Sequence, residues 1–153
     1  MKALELKIPP VVVFIVCVVL IHQISDEWLG MHVSLPFAGA VFFACFVISG
    51  FVGLAGVYEF RKQQTTVNPI KVETAAKVVD SGIFARTRNP MYLGLALLLL
   101  GFAYWQQNII ALTVPILFVF YMNRFQIEPE ERALTQLFGD DYLDYQNRVR
   151  RWI

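Results

Sequence analysis

The sequence is poor in charge and in reactive side chains. Of 153 residues only 16% are charged, two are cysteine and two are histidine, against about 25% charge in an ordinary soluble domain. A net charge of +1 offers nothing to a polyanion, which excludes nucleic acid as a partner. Cys17 and Cys45 lie inside apolar runs with neither a CxxC spacing nor neighbouring histidines, and they read as small hydrophobes, not as a disulfide, redox or metal site. There is no GxxxxGK[ST], no GxGxxG after a strand, no HExxH and no GxSxG; phosphate-loop, dinucleotide-fingerprint, zincin and nucleophile-elbow chemistries have no residues to use. His22 and His32 follow the first apolar run and fall at the opposite end of the expected layout from the two polar clusters described below, which speaks against a histidine general acid. What remains is a reaction that needs positioning more than proton transfer.

Apolar residues are abundant instead: 57% of the chain is hydrophobic and 14% aromatic, with mean hydropathy +0.54. One modest core cannot absorb that much apolar surface, and a bilayer can. The expected fold is all-α and polytopic, with four transmembrane helices in one domain spanning residues 1–153. The first span is 8–24, short but sufficient, and without a small-x-small cleavage site after it. The second, 35–58, is free of charge and long enough to tilt. Its small residues Ala40, Ala44, Ser49 and Gly53, flanked by Gly50 and Gly56, recur at spacings that allow close helix approach, within one subunit or in a dimer. Two shorter runs, 91–105 and 109–122, separated by Gln106-Gln107-Asn108, are expected to form a helical hairpin. The tail, 128–153, carries Leu134, Leu137, Phe138, Tyr142, Tyr145, Val149 and Trp152 at helical steps, an amphipathic helix broken at Gly139 and lying on the membrane surface.

In that layout all 13 lysines and arginines fall on one side, which the positive-inside rule assigns to the cytoplasm together with both termini, the loop 59–90 and the tail. The opposite loop, Ser25 to Ser34, carries Asp26 and Glu27 and no basic residue. Two polar clusters then meet on the cytoplasmic face. Arg86, Arg88 and Asn89 precede Pro90, which suits the first turn of a helix with Asn89 as its N-cap, a place where a carboxylate or phosphate is welcome. After the fourth span, Glu128, Glu130 and Glu131 put three carboxylates within four residues, which repel one another unless a cation or hydrogen-bond donors join them. Each cluster also has a plain reading, a topology signal in the first case and a solvated acidic first turn in the second.

These residues carry a resemblance. The segment Val79-Asp80-Ser81-Gly82-Ile83-Phe84 through Arg88-Asn89-Pro90-Met91-Tyr92-Leu93-Gly94, followed by Glu130-Glu131 and by Leu137-Phe138-Gly139-Asp140-Asp141-Tyr142-Leu143-Asp144-Tyr145, resembles the integral-membrane isoprenylcysteine carboxyl methyltransferase family, parts of which related phospholipid methyltransferases share. The likeness covers the chain from Val67 onward. It implies an S-adenosylmethionine-dependent enzyme taking a lipophilic or lipidated acceptor from the bilayer, with Arg88 and Glu131 in catalytic roles. It further implies a cofactor pocket drawing on Gly82, Arg88, Asn89, Tyr92, Gly94, Glu130, Glu131 and Tyr142. The placement of the histidines and cysteines speaks against a metal, and the chain's size and compact form suggest a monomer or loose homodimer in a bacterial inner membrane. Asn89 stands where many members have His. The cofactor's amino-acid end needs an acid for its amine and an Arg or helix N-terminus for its carboxylate, and its adenine needs an apolar enclosure. Tyr142 and Tyr145 either help close that enclosure or pack the tail. Two other readings stand beside this one: an NADPH-dependent reductase of the sterol-reductase type, against which the acidic pair argues because a 2′-phosphate calls for basic residues, and a membrane scaffold, which leaves both clusters without a purpose.

Overall fold

The computed structural model describes residues 5–63 and 78–153. Among these residues the chain forms helices and no strand: α1 (Pro10–Glu27), α2 (Ala38–Lys62), α3 (Pro90–Trp105), α4 (Thr113–Met122), α5 (Glu128–Phe138) and α6 (Asp140–Arg148), with short 3-10 turns at Leu29–Met31 and Gly82–Ala85 and a π-helical turn at Asn123–Ile127. Residues 64–77, the middle of the expected loop 59–90 and the start of the family-like segment, lie outside the described residues.

Proline starts α1 and α3, where the missing N–H costs nothing because the first turn has no intrahelical acceptor for it. With 18 and 25 residues, α1 and α2 are about 27 and 37 Å long at 1.5 Å per residue, and both are long and apolar enough to cross a membrane. Phe43, Phe51 and Leu54 of α2 are left exposed by the rest of the chain, a face that belongs in hydrocarbon and not in water. The molecule is a helical membrane protein.

The second pair of apolar runs is shorter. α3 has 16 residues and α4 only 10, because α4 begins at Thr113 and not at 109 as the hydropathy suggests. The reason is local: the buried Asn108 accepts hydrogen bonds from the Ile110 and Ala111 amides through its side-chain oxygen, at 3.0 and 3.2 Å. That asparagine turn competes with helix over 109–112. Asn108 also donates to the Trp28 carbonyl at 3.0 Å, and Val33 N–H to Gln107 O and Ile109 N–H to Met31 O join residues 28–36 to 106–109.

At its other end α4 does not stop. The path from Thr113 to Phe138 is helical throughout, α4 passing through the π turn into α5. Pro129 accounts for the widened turn, since it has no N–H to give the carbonyl of Phe125 four residues back and its ring crowds that carbonyl. The carbonyl accepts the Leu6 N–H instead, at 3.1 Å, so a proline-induced vacancy in the helix ladder ties down the N-terminal segment.

Two cores result. One gathers Cys17 and Ile21 of α1, Tyr92, Leu99 and Ala103 of α3, Val114, Phe118 and Met122 of α4, and Ile127. The other packs Val79 and Phe84 against Tyr142, Tyr145 and Val149, so the expected amphipathic tail is two helices divided at Gly139, burying its apolar side on the 78–87 segment. The tightest helix pair is α2 with α3. Ser49 Oγ donates to the Gly94 carbonyl at 2.7 Å, which places the Ser49/Gly53 face of α2 in packing within one chain.

The α2–α3 approach sets a stability test. A Cβ at Gly101 would lie 2.5 Å from Cys45 Cβ, whereas one at Gly50 meets nothing within 4 Å. Gly101→Ala is expected to cost about 1–3 kcal/mol by forcing the helices apart, and Gly50→Ala to be neutral or slightly stabilising. Thermal unfolding of the two variants in one detergent checks the contrast; equal melting temperatures would contradict the packing described.

Candidate functional site

The acidic first turn of α5 is where the polar side chains of the described residues converge. Its three carboxylates avoid mutual repulsion by taking separate partners. Glu128 pairs with Arg124 at 3.4 Å, and Arg124 also reaches Glu5 at 3.1 Å; Glu5 pairs in turn with Arg132. Glu131 is held between two guanidinium groups. Arg88 Nη2 donates to its Oε1 at 2.7 Å, while Arg151 donates from Nε to Oε1 at 3.2 Å and from Nη2 to Oε2 at 2.5 Å. The Arg88 and Glu131 side chains are 11% and 12% exposed, so this is an interior ion pair, where charge-assisted hydrogen bonds are strongest.

Glu130 lies on the neighbouring face of the turn, toward the first core. The hydroxyl of Tyr92, a buried residue of α3, donates to its Oε1 at 2.6 Å, and Gln126 Nε2 donates to the same oxygen at 2.8 Å. Desolvation nonetheless pushes the Glu130 pKa up to about 7, with the Glu131 charge adding to the rise and the two hydrogen bonds opposing it. The turn thus presents one carboxylate fixed by two cations and another poised near neutrality.

Arg88 arrives at this site because its segment is held by the end of the chain. Residues 149–152 run over 86–89 as a strap. Arg88 N–H donates to Arg150 O at 3.0 Å, Thr87 Oγ1 to Arg151 O at 3.3 Å and Asn89 Nδ2 to the same oxygen at 2.9 Å. Arg88 Nη1 donates to the carbonyls of Gln146 and Val149 at 2.9 and 2.6 Å, and Trp152 Nε1 to Asn123 Oδ1 at 3.0 Å fastens the strap to the π turn. One donor is left over: Arg88 Nε is buried and has no hydrogen-bond partner among the described residues. Beside the cluster a cleft of about 520 Å³ opens, lined by Glu128, Glu131, Arg132, Thr135 and Gln136 of α5 and Gln146 of α6, within the size range of small-molecule sites.

Of the residues expected from sequence, the structure brings Arg88, Tyr92, Glu130 and Glu131 together. Asn89 occupies the N-cap position of α3, yet its side chain makes no capping bond; its Nδ2 donates to the Arg151 carbonyl of the strap. Gly94 lies in the α2–α3 contact and not at the cleft. Tyr142 is buried in the second core, 6.0 Å from the Tyr145 ring, and close enough to Glu131 and Arg88 for their charges to act on its hydroxyl. Gly82 sits at φ +59°, and a Cβ there would come within 2.5 Å of Glu59 Oε2. His22 and His32 lie near Asp26 and the Ser25 carbonyl, at the end of the molecule where residues 28–36 meet 106–109.

Two participants, Arg151 and Gln126, and a separate buried acid, Glu59, are not among the residues expected from sequence. Arg151 is twenty residues from Glu131 and is found only through the fold. Gln126 stands one helical turn before Glu130, the i, i+4 spacing that marks a side-chain pair. Glu59 is buried and accepts from Ser81 Oγ at 2.5 Å. Its signal is phase, since Val52, Gly56 and Glu59 share the inward face of α2, which runs a turn further than the expected end at Tyr58.

The raised pKa of Glu130 has a sign that can be measured. A carboxyl whose folded pKa lies near 7 and whose ordinary value is 4.5 holds its proton in the folded state where the unfolded chain has lost it. Its contribution is complete below pH 4.5 and disappears as pH rises to about 7. Stability is expected to fall by up to a few kcal/mol across that window, and Glu130→Gln to flatten the fall; unfolding curves at pH 5 and pH 7.5 that differ equally in both proteins would contradict it.

Comparison with known proteins bears on this arrangement. A family model described as phospholipid methyltransferase matches residues 37–141, a stretch that contains α2, α3, α4 and the whole acidic turn. An uncharacterized protein of Haemophilus influenzae is 44% identical over 63 residues, 41% of this chain and 100% of that protein. The protein-S-isoprenylcysteine O-methyltransferases of Mus musculus and Rattus norvegicus are each 38% identical over 72 residues, 47% of this chain. The match spans 25% of the length of those two mammalian proteins. With a model matched over more than half of its length, the chain belongs to the phospholipid methyltransferase family.

Proposed function

We propose that the protein transfers a methyl group from S-adenosylmethionine to a lipophilic acceptor embedded in the membrane. The observation that carries this reading is the Arg88–Glu131 pair at the edge of the α5–α6 cleft, with a buried Arg88 Nε left without an acceptor. An α-amino acid group needs an anion for its amine and a cation for its carboxylate, and the cleft is lined by both, Glu128 and Glu131 of one sign and Arg132 of the other, with the buried Arg88 guanidinium directly behind Glu131. The donor set therefore fits the amino-acid end of the cofactor. When bound, the cofactor supplies an electrophilic methyl group on a sulfonium sulfur.

The chain's own work is to bind and align. Glu131 accepts from an ammonium, Arg88 orients a carboxylate, and the Tyr92–Glu130–Gln126 group closes the membrane side of the acidic turn with every near donor satisfied. Such a site favours reaction by holding partners in line and excluding water, and it requires no titrating imidazole. An acceptor carrying a carboxylate, amine or thiolate on an apolar tail would approach along the lipid-facing helices. The reading includes four membrane spans in a single domain, with α3 and α4 as a hairpin, both termini and the site on the cytoplasmic side, and a bacterial inner membrane as the location. It also takes the protein to act as a monomer or loose dimer. The methyltransferase names of the matched relatives favour it over the reductase and scaffold readings.

Titration calorimetry of the detergent-purified protein with S-adenosylhomocysteine, and separately with NADPH, tests it. Binding of the first alone is expected, weakened at least 10-fold by Glu131→Gln, a loss of about 1.4 kcal/mol or more. Binding of NADPH alone, or of neither, would overturn the assignment.

A further inference from the structure

Glu131 receives more cationic contact than a single Arg88 pair requires, and the surplus comes from a residue outside the family match. That match ends at residue 141, whereas Arg151 and the carbonyls of Gln146 and Val149 that hold Arg88 all lie beyond it. Arg88 engages only Oε1 of Glu131. Arg151 takes both oxygens with its Nε and Nη2, the fork geometry that fixes a carboxylate's plane as well as its charge. Without Arg151 the Oε2 atom has no donor among the described residues, and Glu131 is free to rotate about its last torsion. The backbone around Arg151 is equally committed, since its carbonyl accepts from both Thr87 and Asn89, so the guanidinium is delivered from a strap whose position is set by the Arg88 segment itself.

We propose that Arg151 is a positioning residue of the cofactor site: its guanidinium fork holds the Glu131 carboxylate in the one orientation that presents it to the cleft, while Arg88 is held from the opposite side by the carbonyls of α6 and the strap. The proposal rests on the reading of this cluster as the S-adenosylmethionine site. It predicts that ligand affinity depends on a side chain at the far C-terminal end, with a requirement for two-pronged contact and not only for positive charge. Arg150 supplies the comparison. It carries the same charge one residue away, its side chain is exposed and makes no hydrogen bond among the described residues, and only its backbone carbonyl takes part.

The experiment is calorimetric titration with S-adenosylhomocysteine of the full chain and of Arg151→Ala, Arg151→Lys, Arg150→Ala and Glu131→Gln, each with a melting curve. Arg151→Ala is expected to bind at least 10-fold more weakly with a melting temperature within about 3 °C of the parent, as suits a partly exposed pair. Arg151→Lys, which restores the charge without the fork, is expected to recover part of the affinity and to stay about 3-fold or more below the parent. Arg150→Ala is expected to stay within 2-fold. If Arg151→Ala binds like the parent while Glu131→Gln loses binding, the proposal fails and the site reading stands. If Arg150→Ala is weakened as much as Arg151→Ala, net charge and not position is responsible and the proposal also fails. If Arg151→Ala does not fold, the lysine variant decides: native melting with weaker binding supports the proposal, and parental affinity overturns it. Loss of none of the affinity in Glu131→Gln would remove the site reading and the proposal together.

Discussion

The carboxylate of Glu131, shared by Arg88 and Arg151, is the contact on which the rest of the polar end of the structure depends. Three segments distant in sequence meet there: the loop that opens α3, the acidic first turn of α5 and the C-terminal strap. A buried ion pair adds little net stability, because the desolvation of each charge offsets most of the attraction. Its value is directional. Each guanidinium has a fixed set of donors, and once Glu131 and the α6 carbonyls have taken theirs, the three segments have few other ways to fit together.

The apolar part of the molecule answers to a different constraint. Hydropathy separates the helices because lipid-facing helices must satisfy every backbone group internally, and that demand writes long apolar runs into the sequence. For this reason α1, α2 and α3 were legible within a few residues. Where polar side chains interrupt the ladder, hydropathy misleads: Asn108 delays the start of α4, and Glu59 is a buried acid at the end of a helix whose apolar run stops one residue earlier. Both effects arise from a single side chain finding a specific partner, which no window average contains.

The site divides along the same line. Arg88, Tyr92, Glu130 and Glu131 could be named from sequence because each sits in a compact motif at the end of an apolar run. The N-cap position of Asn89 is legible from Pro90, whereas the acceptor of its side-chain amide, the Arg151 carbonyl, is some sixty residues away. Gly94 belongs to the same motif but lies in the α2–α3 contact, and Tyr142 packs in the second core beside the Arg88–Glu131 pair. Motif membership reports that a residue is needed, not whether it touches a ligand or supports one that does. Arg151 was beyond reach because its meaning comes entirely from where the strap lies.

The π turn has a consequence for the phase of everything after it. A turn that holds one residue more than an α-helical turn rotates the following helix by about 100° relative to an uninterrupted α-helix. The face of α5 that bears Glu131 is thus aimed by Pro129 and the π turn Asn123–Ile127, not by α4 alone. In an ideal helix running unbroken from Thr113, Glu131 would point about a quarter-turn away from the loop that carries Arg88. The wider turn is what brings an acidic helix, continuous with an apolar one, into register with a basic loop on another element.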